Sequence, residues 1–294
     1  MQLKLKLNGS AEPFTNYLKS YSRIRESLLL EVDTTRRAFV AKTFTEDKSA
    51  IRFASITFDE AHVQIISDDG EQERNEKRIK VGILIQLKKL IQIVERFGSE
   101  VDKDGNADFE INITYEPFVD QNKNVDFVST QIQFKSSTLK MKMDGFRITE
   151  LAYLPDEVFA NNIFNLSDSV SCEISRDKIS DIAKISEIIK LDPRKDALVF
   201  FVEGKTLSVK NQGHIKDKEP DFEYKIGELD VEPDYEIHLP VNRAKFIKML
   251  DKTPETFKLI LGKFTVNGSN AVDRVLFDST NSTTKIVIGG LKDS

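Results

Sequence analysis

Several residue types that often define a class of protein are scarce in this sequence. It contains one cysteine, Cys172, no tryptophan and three histidines in 294 residues. A single cysteine cannot form an internal disulfide, which argues against a secreted disulfide framework and fits a reducing compartment. No apolar run approaches the roughly 20 residues that a membrane-spanning helix needs, and residues 1–6 alternate leucine with lysine, unlike the apolar core of a signal peptide. We therefore expect a cytoplasmic protein.

Recognisable catalytic and ligand-binding motifs are also missing. The histidines His62, His214 and His238 have no metal-ligand spacing. Residues 204–206 imitate the end of a phosphate-binding loop, but Val199 stands where that loop requires glycine. The segment 102–105 resembles a calcium loop only in part and is interpreted as a turn. The sequence therefore predicts no enzyme, no metal and no cofactor, although a hydrolase whose site is dispersed along the chain remains an alternative.

The length and the apolar pattern indicate two strand-rich domains. At roughly 150 residues per domain, 294 residues suggest two cores, and 20 phenylalanines are available to fill them. Short alternating or β-branched apolar segments, separated by Asp, Asn and Gly turn signals, predict an antiparallel meander. The predicted strands are Leu3–Leu7, Leu28–Val32, Ala38–Thr43, Ile51–Phe58, His62–Ser67, Phe109–Tyr115 and Val128–Phe134.

Four segments have the apolar periodicity of amphipathic helices. They are Pro13–Arg25, Leu84–Phe97, Ser175–Lys190 and Asn242–Lys252. They form two pairs, each embedded in strands, so the order strand, helix, strands, helix, strands occurs twice. The fold class predicted is α+β with a duplicated domain, residues 1–165 and 166–294. Residues 116–124 are predicted to form an enlarged hairpin loop, and residues 68–80 a solvated loop and strand edge.

Positive charge is concentrated on these helices although the chain has a net charge of −5. The helices carry 14 Lys and Arg against 5 Asp and Glu, whereas the rest of the chain carries 29 against 43. Spacings of three to four residues place the cations on the face opposite the apolar stripe. Solvated faces of amphipathic helices often carry Lys and Arg, but four such helices in an acidic chain indicate phosphate binding. The candidate DNA-binding residues are Lys19, Arg23, Arg25, Lys88, Lys89, Arg96, Arg176, Lys178, Lys184, Arg243, Lys245, Lys248 and Lys252.

The combination resembles the sliding clamps of DNA polymerases. Residues 14–30 resemble the first helix and following strand of tailed-phage clamps, and residues 178–210 resemble the start of their second domain. Residues 81–97 are similar to the second helix of cellular trimeric clamps, and residues 284–290 lie where those clamps have their last strand. The resemblance covers nearly the whole chain as a pattern, since clamps have no invariant catalytic signature.

This resemblance implies a homotrimeric ring around double-stranded DNA, with the helices lining the hole and antiparallel sheets outside. It also implies a replicative DNA polymerase as partner, a separate ATP-dependent loader, and action in the cytoplasm, in a phage-infected bacterial cell. The candidate subunit-interface residues are Leu139, Met141, Met143, Tyr224 and Ile226. The candidate partner-binding residues are Leu154, Val158, Phe159 and Ile288. The alternative function is that of a structural or interaction protein of a virion, built from two β-rich domains.

Overall fold

The structure, a computed structural model, describes residues 1–47, 49–83, 87–119, 123, 125–144, 163–188, 197–212, 222–250, 256–265 and 271–290. For residues 82, 83, 187 and 212 it describes the backbone alone. The chain divides into two units. Unit 1 comprises Met1–Thr43 and Phe53–Tyr153, and unit 2 comprises Phe44–Arg52 and Leu154–Ser294. The domain boundary near residue 165 stays a prediction.

Unit 1 contains two long helices and a set of mostly antiparallel strands. Its elements are β1 (Gln2–Gly9), α1 (Glu12–Ser22), β2 (Leu28–Asp33), β3 (Ala38–Phe44), β4 (Ala50–Thr57), β5 (Val63–Asp68), α2 (Glu71–Arg74), β6 (Ile79–Ile83), α3 (Leu87–Gly98), β7 (Ala107–Val119), β8 (Val125–Lys135) and β9 (Lys140–Asp144). The last residue of β3 and the first three of β4 belong to unit 2.

The strands of unit 1 follow the alternation of the sequence. In β1, Leu3, Leu5 and Leu7 are fully buried while the intervening lysines are partly exposed, as a strand with one face on a core requires. β1 pairs antiparallel with β5 and β7, and β7 continues into the β7–β8 hairpin and then β9. β2 lies between β3 and β6, and β6 joins β8 in parallel.

Both long helices of unit 1 bury an aromatic side chain in the core. Phe14 of α1 stacks on Phe39 with 4.7 Å between ring centroids. Phe97 of α3 lies 5.5 Å from Phe109 and 5.8 Å from Phe134, which belong to β7 and β8. Such rings remove large apolar areas from water and therefore fix the helices on the strands.

Unit 2 repeats this order of elements, except that its described residues contain no counterpart of β5 and α2. It contains β10 (Ser167–Ile174), α4 (Arg176–Ile188), β11 (Ala197–Glu203), β12 (Thr206–Gln212), β13 (Glu223–Glu228), β14 (His238–Asn242), α5 (Arg243–Leu250), β15 (Phe257–Phe264), β16 (Val272–Ser279) and β17 (Lys285–Gly289).

Most of the pairing in unit 1 recurs in unit 2, although the β1–β5 pair and the parallel β6–β8 pair have no counterpart among the described residues of unit 2. β10 pairs with β15 as β1 pairs with β7, and β15, β16 and β17 follow one another as β7, β8 and β9 do. β11 lies between β12 and β14, as β2 lies between β3 and β6. Phe246 of α5 contacts Phe200 and Phe277, as Phe97 of α3 contacts two strand phenylalanines. The duplicated α+β fold predicted from the sequence is therefore confirmed.

The four predicted helices and seven predicted strands are confirmed, with ends that shift by a few residues. Two other predictions hold only in part. Residues 68–80 do connect β5 to β6 and are mostly exposed, but they also contain the one-turn helix α2 and the buried Arg74. The hairpin loop predicted for residues 116–124 is shorter than predicted, because residues 116–119 belong to β7; residues 120–122 and 124 lie outside the described residues. β7 runs to Val119 and β8 begins at Val125, because the hairpin register continues beyond Tyr115, whose ring packs edge-on against Phe127 at 6.2 Å.

Candidate nucleic-acid interface and strand edges

The two long helices of unit 1 present their cations to solvent side by side. α1 and α3 contact each other, and Lys19 of α1 forms an ion pair of 2.6 Å with Glu95 of α3. The predicted cations of both helices that are exposed are Lys19, Arg23, Lys88, Lys89 and Arg96. The apolar residues of α3 that alternate with these cations are buried. The sequence-predicted faces are therefore real surfaces, whereas Arg25 is only half-exposed.

Acidic residues accompany part of this surface. Arg96 pairs with Glu100 at 3.1 Å. Hydrogen bonds donated by Ser136 and Thr138, together with the nearby Arg96, hold the pKa of Glu100 below its usual range. Exposed ion pairs of this kind stabilise a fold little, because water and salt screen them. A phosphate can therefore replace the carboxylate beside Lys19 or Arg96 at little cost.

The predicted cations of unit 2 divide into two groups. Arg176, Lys184 and Lys248 are exposed. The amine of Lys178 donates instead to the carbonyl of Ile226, and Arg243 donates to the carbonyl of Ser186 in the last turn of α4. Helical spacing gave the correct faces, but it could not show which carbonyl oxygens would lie within reach of these two side chains.

Lys245 is also engaged within unit 2. Its amine bonds to Asp47 and to the Ser49 hydroxyl, in the segment between β3 and β4. Burial alone would raise the pKa of Asp47, but hydrogen bonds from Lys245, Thr45 and Ser49 outweigh it and hold the pKa below its usual range. Lys245 therefore ties α5 to this segment. Lys252 lies outside the described residues.

The candidate interface residues lie on or beside two strand edges. Among the described residues, β9 pairs only with β8 and β13 only with β12. Leu139 and Met143 pack partly against the core of unit 1, and Met141 is 37% exposed. Tyr224 is half-buried, and the side chain of Ile226 is fully buried. Ile226 can therefore take part in an interface only through its backbone.

The four candidate partner-binding residues are Leu154, Val158, Phe159 and Ile288. Leu154, Val158 and Phe159 lie outside the described residues. Ile288 is described, and its side chain is fully buried on β17. It belongs to the core of unit 2 and offers no surface to a peptide.

An aromatic cluster in unit 2 was not predicted from the sequence. Phe44, Ile51 and Ile163 are buried together, with Phe164 and Phe264 partly buried against them. The guanidinium of Arg274 lies 4.0 Å from the ring centre of Phe264, and burial lowers its pKa. The cluster joins residues that lie far apart in the sequence, so no local sequence pattern predicts it.

Within the described ranges no group of three or more His, Cys, Asp or Glu is placed to hold a metal ion. Cys172 is buried, and burial raises the pKa of its thiol to about 11. No helix in the described part of the chain is long and apolar enough to cross a membrane.

Comparison with known proteins identifies the fold. A solved structure described as "C-terminal region of FEN-1 bound to A. fulgidus PCNA" contains a chain that matches with a TM-score of 0.61, over 99% of each chain, at 10% identity. This chain has a PCNA-type fold. The match covers both units, and it is consistent with two clamp-type domains in succession. No protein-family profile and no curated protein sequence matches.

Proposed function

We propose that the protein is a sliding clamp, a ring that encircles double-stranded DNA and holds a replicative DNA polymerase on it. The observation that carries the proposal is the pair of units, each with two helices that bury one face and expose cations on the other, in a chain of PCNA-type fold. We propose no catalytic activity and no cofactor. The polymerase and an ATP-dependent loader are the partners that this function requires.

Non-specific contact with phosphate suits a protein that must slide. Lysine and arginine side chains neutralise phosphates without reading base sequence, and they exchange readily between neighbouring phosphates. A closed ring stays on DNA through topology, so these contacts need not be tight. The polymerase then remains at high effective concentration near the primer end. Eight of the candidates are exposed, and of these we propose Lys88, Lys89, Arg176, Lys184 and Lys248 for this contact. Lys19 and Arg96 can join them by exchanging a carboxylate for a phosphate.

We propose that three copies close the ring by pairing β9 of one subunit with β13 of the next. A strand edge without a neighbour invites such pairing. β9 carries two lysines and one aspartate, and β13 carries two glutamates and one lysine, so their charges are complementary. Within one chain, Lys140 lies opposite Lys135 of β8. Like charges in this position destabilise a strand pair, and a glutamate from a second copy would offset them.

Unit 2 offers an internal precedent for this joint. β17, the counterpart of β9, lies beside the start of β4, the counterpart of β13. Gly289 of β17 donates to the carbonyl of Ser49, directly before β4. The same two kinds of strand are thus already neighbours once within the chain. We propose that β9 and β13, each of which has one neighbour among the described residues, form the corresponding pair between two copies.

The proposal predicts the mass of the protein in solution. Sedimentation at micromolar concentration should give a particle of three times 33.5 kDa. A monomer at all concentrations would contradict the ring and would favour the alternative of a β-rich structural protein, whose helices pack on other molecules.

Charge reversal tests the DNA-facing surface. The test variant changes Lys88, Lys89 and Lys248 together to Glu. We expect duplex binding by this variant to depend less on salt: the slope of log K against log salt should become shallower by roughly 0.9 for each phosphate contact that is lost. The matched control reverses the exposed lysines Lys103, Lys123 and Lys258, which gives the same net charge. Equal losses in both variants would show that total charge, and not this surface, governs binding.

A further inference from the structure

The edge strand β13 is interrupted by a bulge at Ile226. Leu207 of β12 pairs with Gly227, and the next residue, Ser208, pairs with Lys225. Ile226 therefore has no partner on β12, although its side chain is fully buried. A bulged residue leaves the ladder locally disrupted and bends the strand. The geometry of the outer edge of β13 therefore depends on the side chains that contact the bulge at Ile226.

Helix α4 holds β13 at the bulge and beside it. The amine of Lys178 donates to the carbonyl of Ile226. One turn further, Asp181 accepts a hydrogen bond of 3.3 Å from the hydroxyl of Tyr224. Residues three apart lie on one face of a helix, so both contacts come from the same side of α4. Lys178 is half-buried, unlike the exposed Lys184 on the same helix.

Unit 1 contains the same kind of contact on β4. α1, the counterpart of α4, donates from the Tyr17 hydroxyl to the carbonyl of Ala54 on β4 at 3.0 Å. Tyr21 donates to the carbonyl of Ala41 on the adjoining β3 at 3.2 Å. β4 is the counterpart of β13. In both units, therefore, side chains of the first long helix reach backbone carbonyls of this strand.

We propose that Lys178 and Asp181 are positioning residues of the subunit joint: they fix the bulged strand β13 so that its outer edge can pair with β9 of a second copy. This inference depends on the proposed ring, and it gives Lys178 a role different from DNA contact. Without the lysine, the Ile226 carbonyl loses its donor and the strand on either side of the bulge is free to change its twist. The backbone groups on the edge of β13 are then less well placed to pair with β9 of the second copy.

The test compares Lys178→Met with Lys184→Met, which removes an exposed cation from the same helix. Sedimentation equilibrium from nanomolar to micromolar concentration measures the monomer–trimer constant. We expect at least a tenfold weaker association for Lys178→Met, wild-type association for Lys184→Met, and substantial recovery in Lys178→Arg, which restores a donor. Tyr224→Phe deletes only the hydroxyl that bonds to Asp181 and should weaken association by a smaller factor. With this second variant, the test does not depend on whether Lys178→Met folds.

Hydrogen exchange separates positioning from general stability. At concentrations where the proteins are monomeric, Lys178→Met should speed exchange of the amides of residues 223–228 and leave those of β15 and β16 unchanged. Uniform acceleration throughout unit 2 would overturn the inference.

Further outcomes distinguish this inference from the ring itself. A trimeric wild type with equal association in Lys178→Met and Lys184→Met would overturn the inference alone. The inference alone would also be overturned if Lys178→Met left association unchanged but lowered the salt dependence of DNA binding. That result would show that Lys178 contacts DNA. A wild type that stays monomeric would overturn the ring and the inference together.

Discussion

At the scale of single residues, Arg74 is a buried side chain of unit 1 with several polar partners. It is 1% exposed, pairs with Asp68, and donates to the Tyr115 hydroxyl at 3.1 Å, the Lys77 carbonyl at 2.6 Å and the Thr34 hydroxyl at 2.9 Å. The hydrophilic sequence around it gave no sign of this burial. A charge is buried only when such partners compensate for its lost hydration.

We expect Arg74→Met to destabilise the protein by about 3–5 kcal/mol, because it leaves the buried Asp68 carboxylate without its partner. The measurement is urea unfolding, and the control is Arg37→Met. Arg37 is 53% exposed and lies 3.7 Å from Asp59, so its loss should cost less than about 1 kcal/mol. Equal costs for the two variants would show that the network around Arg74 adds nothing to stability.

The Asp47–Lys245 contact predicts a dependence of stability on pH. The pKa of Asp47 is lower in the folded protein than its ordinary value of 3.8, so the contact contributes above pH 3.8 and is lost as the pH falls toward the folded-state pKa. Asp47→Asn should therefore lower stability at pH 7, by less than about 1 kcal/mol for a contact this exposed. The difference from wild type should shrink below pH 4. A difference that is the same at pH 7 and pH 3 would contradict this assignment.

At the scale of elements, the periodicity of the sequence was sufficient for helices and for strands with one buried face. The alternation of Leu3, Leu5 and Leu7 predicted β1, and the apolar stripe of residues 87–97 predicted α3. The errors arose where tertiary contacts decide. β6 is short and preceded by charged residues, and its pairing with β8 joins residues 79 and 127. The continuation of the β7–β8 hairpin depends on the packing of Tyr115 on Phe127, which no local pattern contains.

The same distinction holds for the candidate site. Spacing placed Lys88 and Lys89 correctly on an exposed helix face. It could not separate them from Lys178, Arg243 and Lys245, because the groups that these three contact lie between 48 and 198 residues away in sequence. The two edge strands carry the predicted interface segments, yet only the coordinates show that Ile226 is bulged and buried.

The equivalent helices α3 and α5 depend on equivalent phenylalanines. Phe97 and Phe246 are both fully buried, and each touches two phenylalanines on strands. We expect Phe97→Ala and Phe246→Ala each to cost about 3–5 kcal/mol in urea unfolding. A cost below about 1 kcal/mol for either would show that its unit is not held together by the helix as described.

At the scale of the whole molecule, the proposed function is topological and depends on the duplicated fold. Among the described residues β9 and β13 are edge strands, as are β5, β10 and β14. The proposed joint pairs β9 of one copy with β13 of the next, so a closed ring requires further copies of the chain. The net charge of −5 does not oppose DNA binding in such an assembly, provided that the exposed cations of the helices face the duplex. Affinity for DNA then depends on the ring being intact, and not on any one contact.

Encirclement of DNA is the claim that a single measurement tests most directly. The protein is allowed to thread over the free end of a duplex anchored at its other end, the free end is then blocked with a bulky protein, and retention is followed in a high-salt wash. We predict that the protein stays on the doubly blocked duplex and is released when a restriction enzyme cuts between the blocks. Release from the blocked duplex as fast as from an open one would contradict the account.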